Sequence, residues 1–173
     1  MRDYTRRSAT LAPEAAVELL NDYFDCLVPP IEAEGGEVLK YMGDGLLAIF
    51  REPEDDSGRA AQSALTAAVE TLARLEAANG EGRFRPAITA GIALHHGEAA
   101  YGNVGSGARL DFTVIGPDVN LTSRIERLCR ELDRVLIMSE RFVEHLDRPV
   151  WEIGAFELRG FQKMQRLFEL PHE

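Results

Sequence analysis

Three groups of residues have the types and spacing to do chemistry. The first is Asp44, flanked by Gly43 and Gly45. A carboxylate between two glycines at a tight turn sits on exposed backbone that a phosphate or Mg2+ can approach. The same tripeptide is also a plain hairpin turn. The second group is Asn120 with Arg124, four residues apart and so on one face of a helix. An amide and a guanidinium projecting together can orient a ring and hold a transferring phosphoryl group. Taken alone, the pair also reads as a solvated helix face. The third is GNVGSGAR, residues 102–109. Its backbone N–H groups could cradle an anion, but it fits neither GxxxxGK[ST] nor GxGxxG, and an ordinary loop between strands has the same composition.

Other chemistries find little support. His95 and His96 are adjacent, and neighbours on a strand point to opposite faces, so the two cannot easily chelate one metal. No H-E-x-x-H or C-x-x-C spacing is present, which leaves a zinc site without support. There is no G-x-S-x-G elbow, and neither Cys26 nor Cys129 has a local histidine partner, which argues against covalent nucleophilic catalysis.

The elements that must carry these residues follow from periodicity. Val17, Leu20, Phe24, Leu27 and Ile31 mark an amphipathic helix over residues 13–33. Pro13 suits its first turn, Pro29-Pro30 should bend or break it, and Gly35-Gly36 closes it. EVLKYMGDGLLAIF, residues 37–50, reads as two short strands around the Gly43-Asp44-Gly45 turn. A loop at 51–58 precedes a helix with Ala64, Leu65, Ala68, Val69, Leu72 and Leu75 on one face, ending near Asn79-Gly80. Residues 86–95 read as a buried strand, HGEAAYGNVG as a turn, and 110–115 as another strand. A helix over about 118–132 turns Val119, Ile125, Leu128 and Leu132 inward. A strand at 135–138, a short helix from Ser139 and strands near 150–158 and 166–170 complete the chain. The order α-β-β-α-β-β-α-β-α-β-β predicts an α+β layered domain, helices packed on a mostly antiparallel sheet.

Composition narrows the classes. The chain has 173 residues, 29 acidic and 19 Lys plus Arg, for a formal charge of −10. A broad basic nucleic-acid surface is therefore not expected, although a few placed cations and a metal can still bind phosphate. With 45% hydrophobic and 28% charged residues it reads as a globular domain. No apolar run approaches the ~18 residues that span a bilayer, and MRDYTRRSAT does not read as a signal peptide. Cys26 and Cys129 read as buried free thiols in a reducing cytoplasm.

Jointly, three stretches resemble the catalytic domain of class III nucleotidyl cyclases, most closely bacterial adenylate cyclases. They are residues 18–50, residues 90–128 (AGIALHHGEAAYGNVGSGARLDFTVIGPDVNLTSRIERL) and residues 157–170 (ELRGFQKMQRLFEL). The resemblance implies a ferredoxin-like βαββαβ core in a single catalytic domain over residues 1–173, and formation of 3′,5′-cyclic AMP and pyrophosphate from ATP. It implies two Mg2+ or Mn2+ ions, with Asp44 matching one of two metal-holding aspartates. Lys40 matches the lysine that reads adenine, and Thr113 stands where adenine recognition is completed. Guanylate cyclases typically carry Glu and Cys at these two places. Asn120 and Arg124 match the pair that positions the ribose and stabilises the transition state. Arg159 falls where a phosphate-binding lysine is common, and Arg109 matches another phosphate-contacting arginine. The family's sites are shared across a head-to-tail homodimer, with Asp44 and Lys40 of one chain serving different sites.

One departure stands at the N-terminus. The family's first strand ends in Asp-x-Arg-x-Phe-Thr, and here Arg2, Asp3, Tyr4 and Thr5 match from the arginine onward. The first metal aspartate would then precede Met1, as would the first strand. The expectation is an N-terminally truncated cyclase domain, weak or inactive in this form. The alternative is a degenerate cyclase-homology module that binds nucleotide or a partner without turnover. Guanylate or diguanylate synthesis is disfavoured by Lys40 and by the lack of a GG[DE]EF signature. No membrane contact is expected from this segment.

Overall fold

A computed structural model of the chain describes residues 1–52, 58–106 and 109–171, with side chains 104–112 outside the described set. The elements run α1 (Tyr4–Ser8), α2 (Pro13–Ala33), β1 (Glu37–Met42), β2 (Gly45–Ile49), α3 (Arg59–Gly80), β3 (Ile92–Leu94), β4 (Ala100–Ser106), β5 (Arg109–Ile115), α4 (Pro117–Glu131), β6 (Leu136–Ser139), α5 (Glu140–Val143), β7 (Trp151–Phe156) and β8 (Gln165–Glu169). The chain folds as two compact units, residues 1–51 with 63–90, and residues 52–62 with 91–173.

In the first unit, β1 and β2 form the expected antiparallel hairpin, with Met42 opposite Gly45 and Lys40 opposite Leu47. The register shifts between Val38 and Lys40, a one-residue irregularity that re-aims the strand's side chains. Helix α2 starts at Pro13 as predicted, but Pro29 and Pro30 do not break it. Pro30 is buried, so packing offsets the missing N–H groups. The helix ends when Gly35 takes φ +77°. Gly36 N–H then donates to Ile31 C=O and Gly35 N–H to Glu32 C=O, a Schellman closure.

The buried face of α2 keeps Leu27 and Ile31 of the expected one and leaves Leu20 and Phe24 half-buried, but it extends to Tyr23 and Cys26 rather than Val17. Tyr23, Cys26, Leu27 and Ile31 are in the core, while Val17 is 57% exposed. Cys26 and Tyr23 lie between the apolar positions the periodicity selected, and they pack with Leu75, Ala78, Phe84 and Ile88. On α3 the predicted face is buried at Ala64, Leu65, Ala68 and Leu75, but Val69 is exposed.

In the second unit, β3-β6-β8-β7 form a sheet and β4-β5 a separate hairpin. The predominance of antiparallel pairs is as expected, with one exception: β3 and β6 are parallel, Ala93 opposite Ile137. Two elements were not anticipated. Helix α1 is five residues of YTRRS with no apolar period to betray it. Strand β4 holds Ala100–Ser106, which glycines 102 and 105 made look like a turn; its pairing with β5 supplies the ladder that local propensity does not. The candidate anion loop at 102–109 is thereby corrected, since 102–106 is strand and 107–108 lie outside the described residues. The strand expected over 86–95 is confined to Ile92–Leu94.

Helix α4 buries Leu121, Ile125 and Cys129 against Ile137, Leu158 and Leu167. Of the four positions expected inward, Ile125 is fully buried, and Val119, Leu128 and Leu132 are only half-buried. Both cysteines are free and buried, as predicted. Helix α4 approaches the strand side closely: a Cβ on Gly91 would stand 2.8 Å from Cys129 Cβ. Gly91→Ala should therefore lower stability by about 1–3 kcal/mol through overpacking. Chemical denaturation checks this, and an unchanged midpoint contradicts the close packing.

Candidate active site

The β1–β2 turn presents Asp44 as the sequence suggested. Gly43 takes φ +65° with nothing near its missing Cβ, and the Asp44 side chain is 38% exposed. The Met1 nitrogen donates to Asp44 C=O at 2.8 Å and lies 3.3 Å from Asp44 Oδ2. Arg2 N–H donates to Thr89 C=O, tying the same segment down again. Asp44 offers a hard carboxylate oxygen, the donor type suited to Mg2+ or Mn2+. Lys40 is exposed on β1, four residues before Asp44, and Tyr41 beside it packs edge-on against Phe24, centroids 4.7 Å apart.

The remaining predicted residues belong to the second unit. Asn120 is exposed and Arg124 half-buried, one turn apart on α4. Thr113 is half-buried on β5, opposite Gly102. Arg109 opens β5 opposite Ser106; its side chain lies outside the described residues. Arg159 is exposed in the turn after β7. There Phe161 N–H donates to Leu158 C=O, Gly160 takes φ +91°, and Leu158 is buried. Glycine permits the positive φ, and the buried leucine anchors the turn that holds Arg159 outward.

What the sequence did not reveal is the anchor of α4. Asp118, in its first turn, accepts the Glu98 N–H at 2.8 Å and Arg141 Nη1 at 3.1 Å on Oδ2. Its Oδ1 lies 3.4 Å from His95 Nε2, within ion-pair range but without hydrogen-bond alignment. His95 Nδ1 meets Ser139 Oγ at 2.7 Å. A Cβ on Gly97 would fall 2.7 Å from Asp118 Cβ, so only glycine leaves room for this carboxylate. An acidic group also suits a helix N-terminus. Ser139, His95 and Asp118 superficially resemble a hydrolytic triad. Ser139 is buried, however, and its Oγ also accepts the Phe142 N–H as the cap of α5, so the group is structural. A polar residue following Pro117 at a helix start was the one available signal.

The family described as the adenylate and guanylate cyclase catalytic domain matches residues 1–169. The chain is 34% identical over 169 residues to an adenylate cyclase of Anabaena cylindrica, covering 94% of this chain and 32% of that protein. It is 32% identical over 139 residues to adenylate cyclase 1 of Rhizobium meliloti, covering 79% and 21%. The chain thus spans about a third or less of the length of these curated relatives. The solved guanylyl cyclase Cya2 superposes with a TM-score of 0.82 at 28% identity, covering 97% of this chain and 86% of that one. The adenylyl cyclase CyaB of P. aeruginosa gives 0.82 at 23%, covering 99% and 90%, a likeness of fold. No described helix is long and apolar enough to cross a membrane.

The Asp118 anchor has a pH signature. Burial holds the His95 imidazole below its ordinary value of 6.5, against the opposing pull of Asp118. Burial would raise the Asp118 carboxyl, but the Glu98 N–H, His95 and Arg141 outweigh it and hold it below 3.8. As pH falls below about 6.5, unfolded His95 takes up a proton that the folded chain resists, so stability declines. Asp118 contributes stability above its unfolded value, and this is lost as pH falls through its lower folded value. His95→Gln should flatten the fall of Tm between about pH 6.5 and 5. A slope identical to the parent's would contradict the assignment.

Proposed function

The chain belongs to the adenylate and guanylate cyclase catalytic domain family, and on that premise we propose that it forms the single catalytic domain of an adenylate cyclase. The reaction is conversion of ATP to 3′,5′-cyclic AMP and pyrophosphate. The observation that carries the reading is the Asn120–Arg124 pair on successive turns of α4. The ribose 3′-oxygen forms a bond to the α-phosphorus, the bond to the leaving pyrophosphate breaks in line, and the hydroxyl proton passes to solvent. Such a transfer needs positioning and charge neutralisation rather than a protein nucleophile.

Asn120 would orient the ribose through its amide, and Arg124 would place a guanidinium on the charge that develops at the phosphoryl oxygens. Arg159 and Arg109 would bind the phosphates, Arg159 from an exposed turn suited to contact with a ligand. Lys40 and Thr113 would read adenine at its ring nitrogens and amino group, which favours ATP over GTP. Asp44 would hold divalent metal. Two Mg2+ or Mn2+ ions, when bound, would acidify the 3′-hydroxyl and neutralise the leaving oxygens. A head-to-tail homodimer would bring Asp44 of one chain and Asn120 of its partner together at each of two equivalent sites, with Lys40 of the first chain serving the other site.

This arrangement is tested by mixing. Asp44→Ala and Asn120→Ala chains should each be inactive alone in cyclic AMP formation with Mn2+. Mixed in equal amounts they should recover about a quarter of the parent rate, because half of randomly assorted dimers are mixed and each keeps one of two sites. Failure to recover contradicts the shared-site arrangement. Binding of ATP without any cyclic AMP, by a form extended upstream to carry the first metal aspartate, would favour a nucleotide-binding module instead.

A further inference from the structure

Outside the residues assigned to nucleotide chemistry, one cluster has the makings of a metal site. Glu52, His96 and His145 offer ligand atoms that all lie within 4.8 Å of one another. His96 Nε2 is 2.9 Å from Glu52 Oε2. The rings of His96 and His145 stand 3.9 Å apart between centroids, tilted by 37°. Neither the neighbouring His95 nor any local H-E-x-x-H or C-x-x-C spacing gives His96 a chelating partner in sequence. The two do diverge: His95 is buried against Ser139 and Asp118, while His96 turns to Glu52. Its partner is His145, 49 positions on, which no local spacing could reveal.

We propose that Glu52, His96 and His145 bind a zinc-type transition-metal dication, at a site that shares no residue with the catalytic machinery. Two imidazoles and one carboxylate are a donor set that prefers Zn2+ to Mg2+, with water left to fill the fourth tetrahedral position. Bonds of about 2.0–2.1 Å place tetrahedral ligand atoms about 3.3 Å apart. Reaching that geometry requires the stacked His96 and His145 rings to swing apart while their nitrogens converge, a movement open to partly exposed side chains, His96 by 26% and Glu52 by 33%. The backbone beneath is anchored. His96 follows the buried His95, and His145 N–H donates to Phe142 C=O at 3.1 Å. A bound ion would clasp residue 52, the end of β3 and the turn after α5.

The test is a Zn2+ titration of the whole chain against a chromophoric chelator, with the histidine ring protons followed by NMR. One ion should bind, shifting the His96 and His145 signals and leaving His95 in place. His96→Ala, or His145→Gln as a variant of similar size, should weaken binding by at least about tenfold. Asp44→Ala should leave it intact, and excess Mg2+ should not displace the zinc. Equal affinity in the parent and both histidine variants, or no saturable binding, overturns the proposal.

Discussion

The carboxylate of Asp118 is the fixed point of the second unit. It gathers the Glu98 N–H, the Arg141 guanidinium and the edge of His95 onto two oxygens. Each partner comes from a different segment, so the start of α4 is set relative to the end of β3 and to α5. The direction in which Asn120 and Arg124 project follows from that start. Buried and partly buried charged networks reward complete satisfaction and punish partial loss. Gly97 is part of the same device, because any side chain there would occupy the space of the carboxylate. His95 and Ser139 extend it inward to β6, whose Ile137 and Met138 are fully buried.

The first unit uses a different device, a two-strand hairpin that carries Lys40 and Asp44 four residues apart. Its tip depends on a left-handed glycine, and its base on the packing of α2 against Leu75, Phe84 and Ile88. In this hairpin the positions proposed for recognition, Lys40 and Asp44, are exposed and half-exposed, while the glycines and apolar residues around them bear the conformational demands. Such a division suits a site in which a ligand, and on the proposed arrangement a second copy of the chain, completes the contacts.

Much of this was legible in the sequence. The hairpin, the long helices, α4 and the last two strands carry strong periodic or turn signals, and the joint motifs pointed to the family that matches residues 1–169. Three kinds of feature were not legible. Helix faces were misjudged where polar-tipped residues such as Tyr23 and Cys26 are buried and Val17 is left out, since periodicity weighs hydrophobicity and not the surface actually met. Strand β4 was hidden by its glycines because its order comes from the partner strand. Proline at the end of α2 was overweighted, for the helix there is held by core packing and a glycine closure. The partners of Asp118 and the Glu52–His96–His145 cluster were not legible for one shared reason: the residues involved lie 20 or more positions apart, and only the fold brings them together.

On the proposed reading, Lys40 and Thr113 choose the base and make this an ATP-specific cyclase domain. The most direct measurement is kcat/KM for ATP and for GTP with Mn2+, in the parent and in a Lys40→Glu, Thr113→Cys double variant. The account predicts cyclic AMP as the parent's product. It predicts a loss of about tenfold or more in the variant's use of ATP, since mismatched polar groups at a base edge cost about 1–3 kcal/mol. Preference of the parent for GTP, or an ATP rate unchanged by the double substitution, would contradict it.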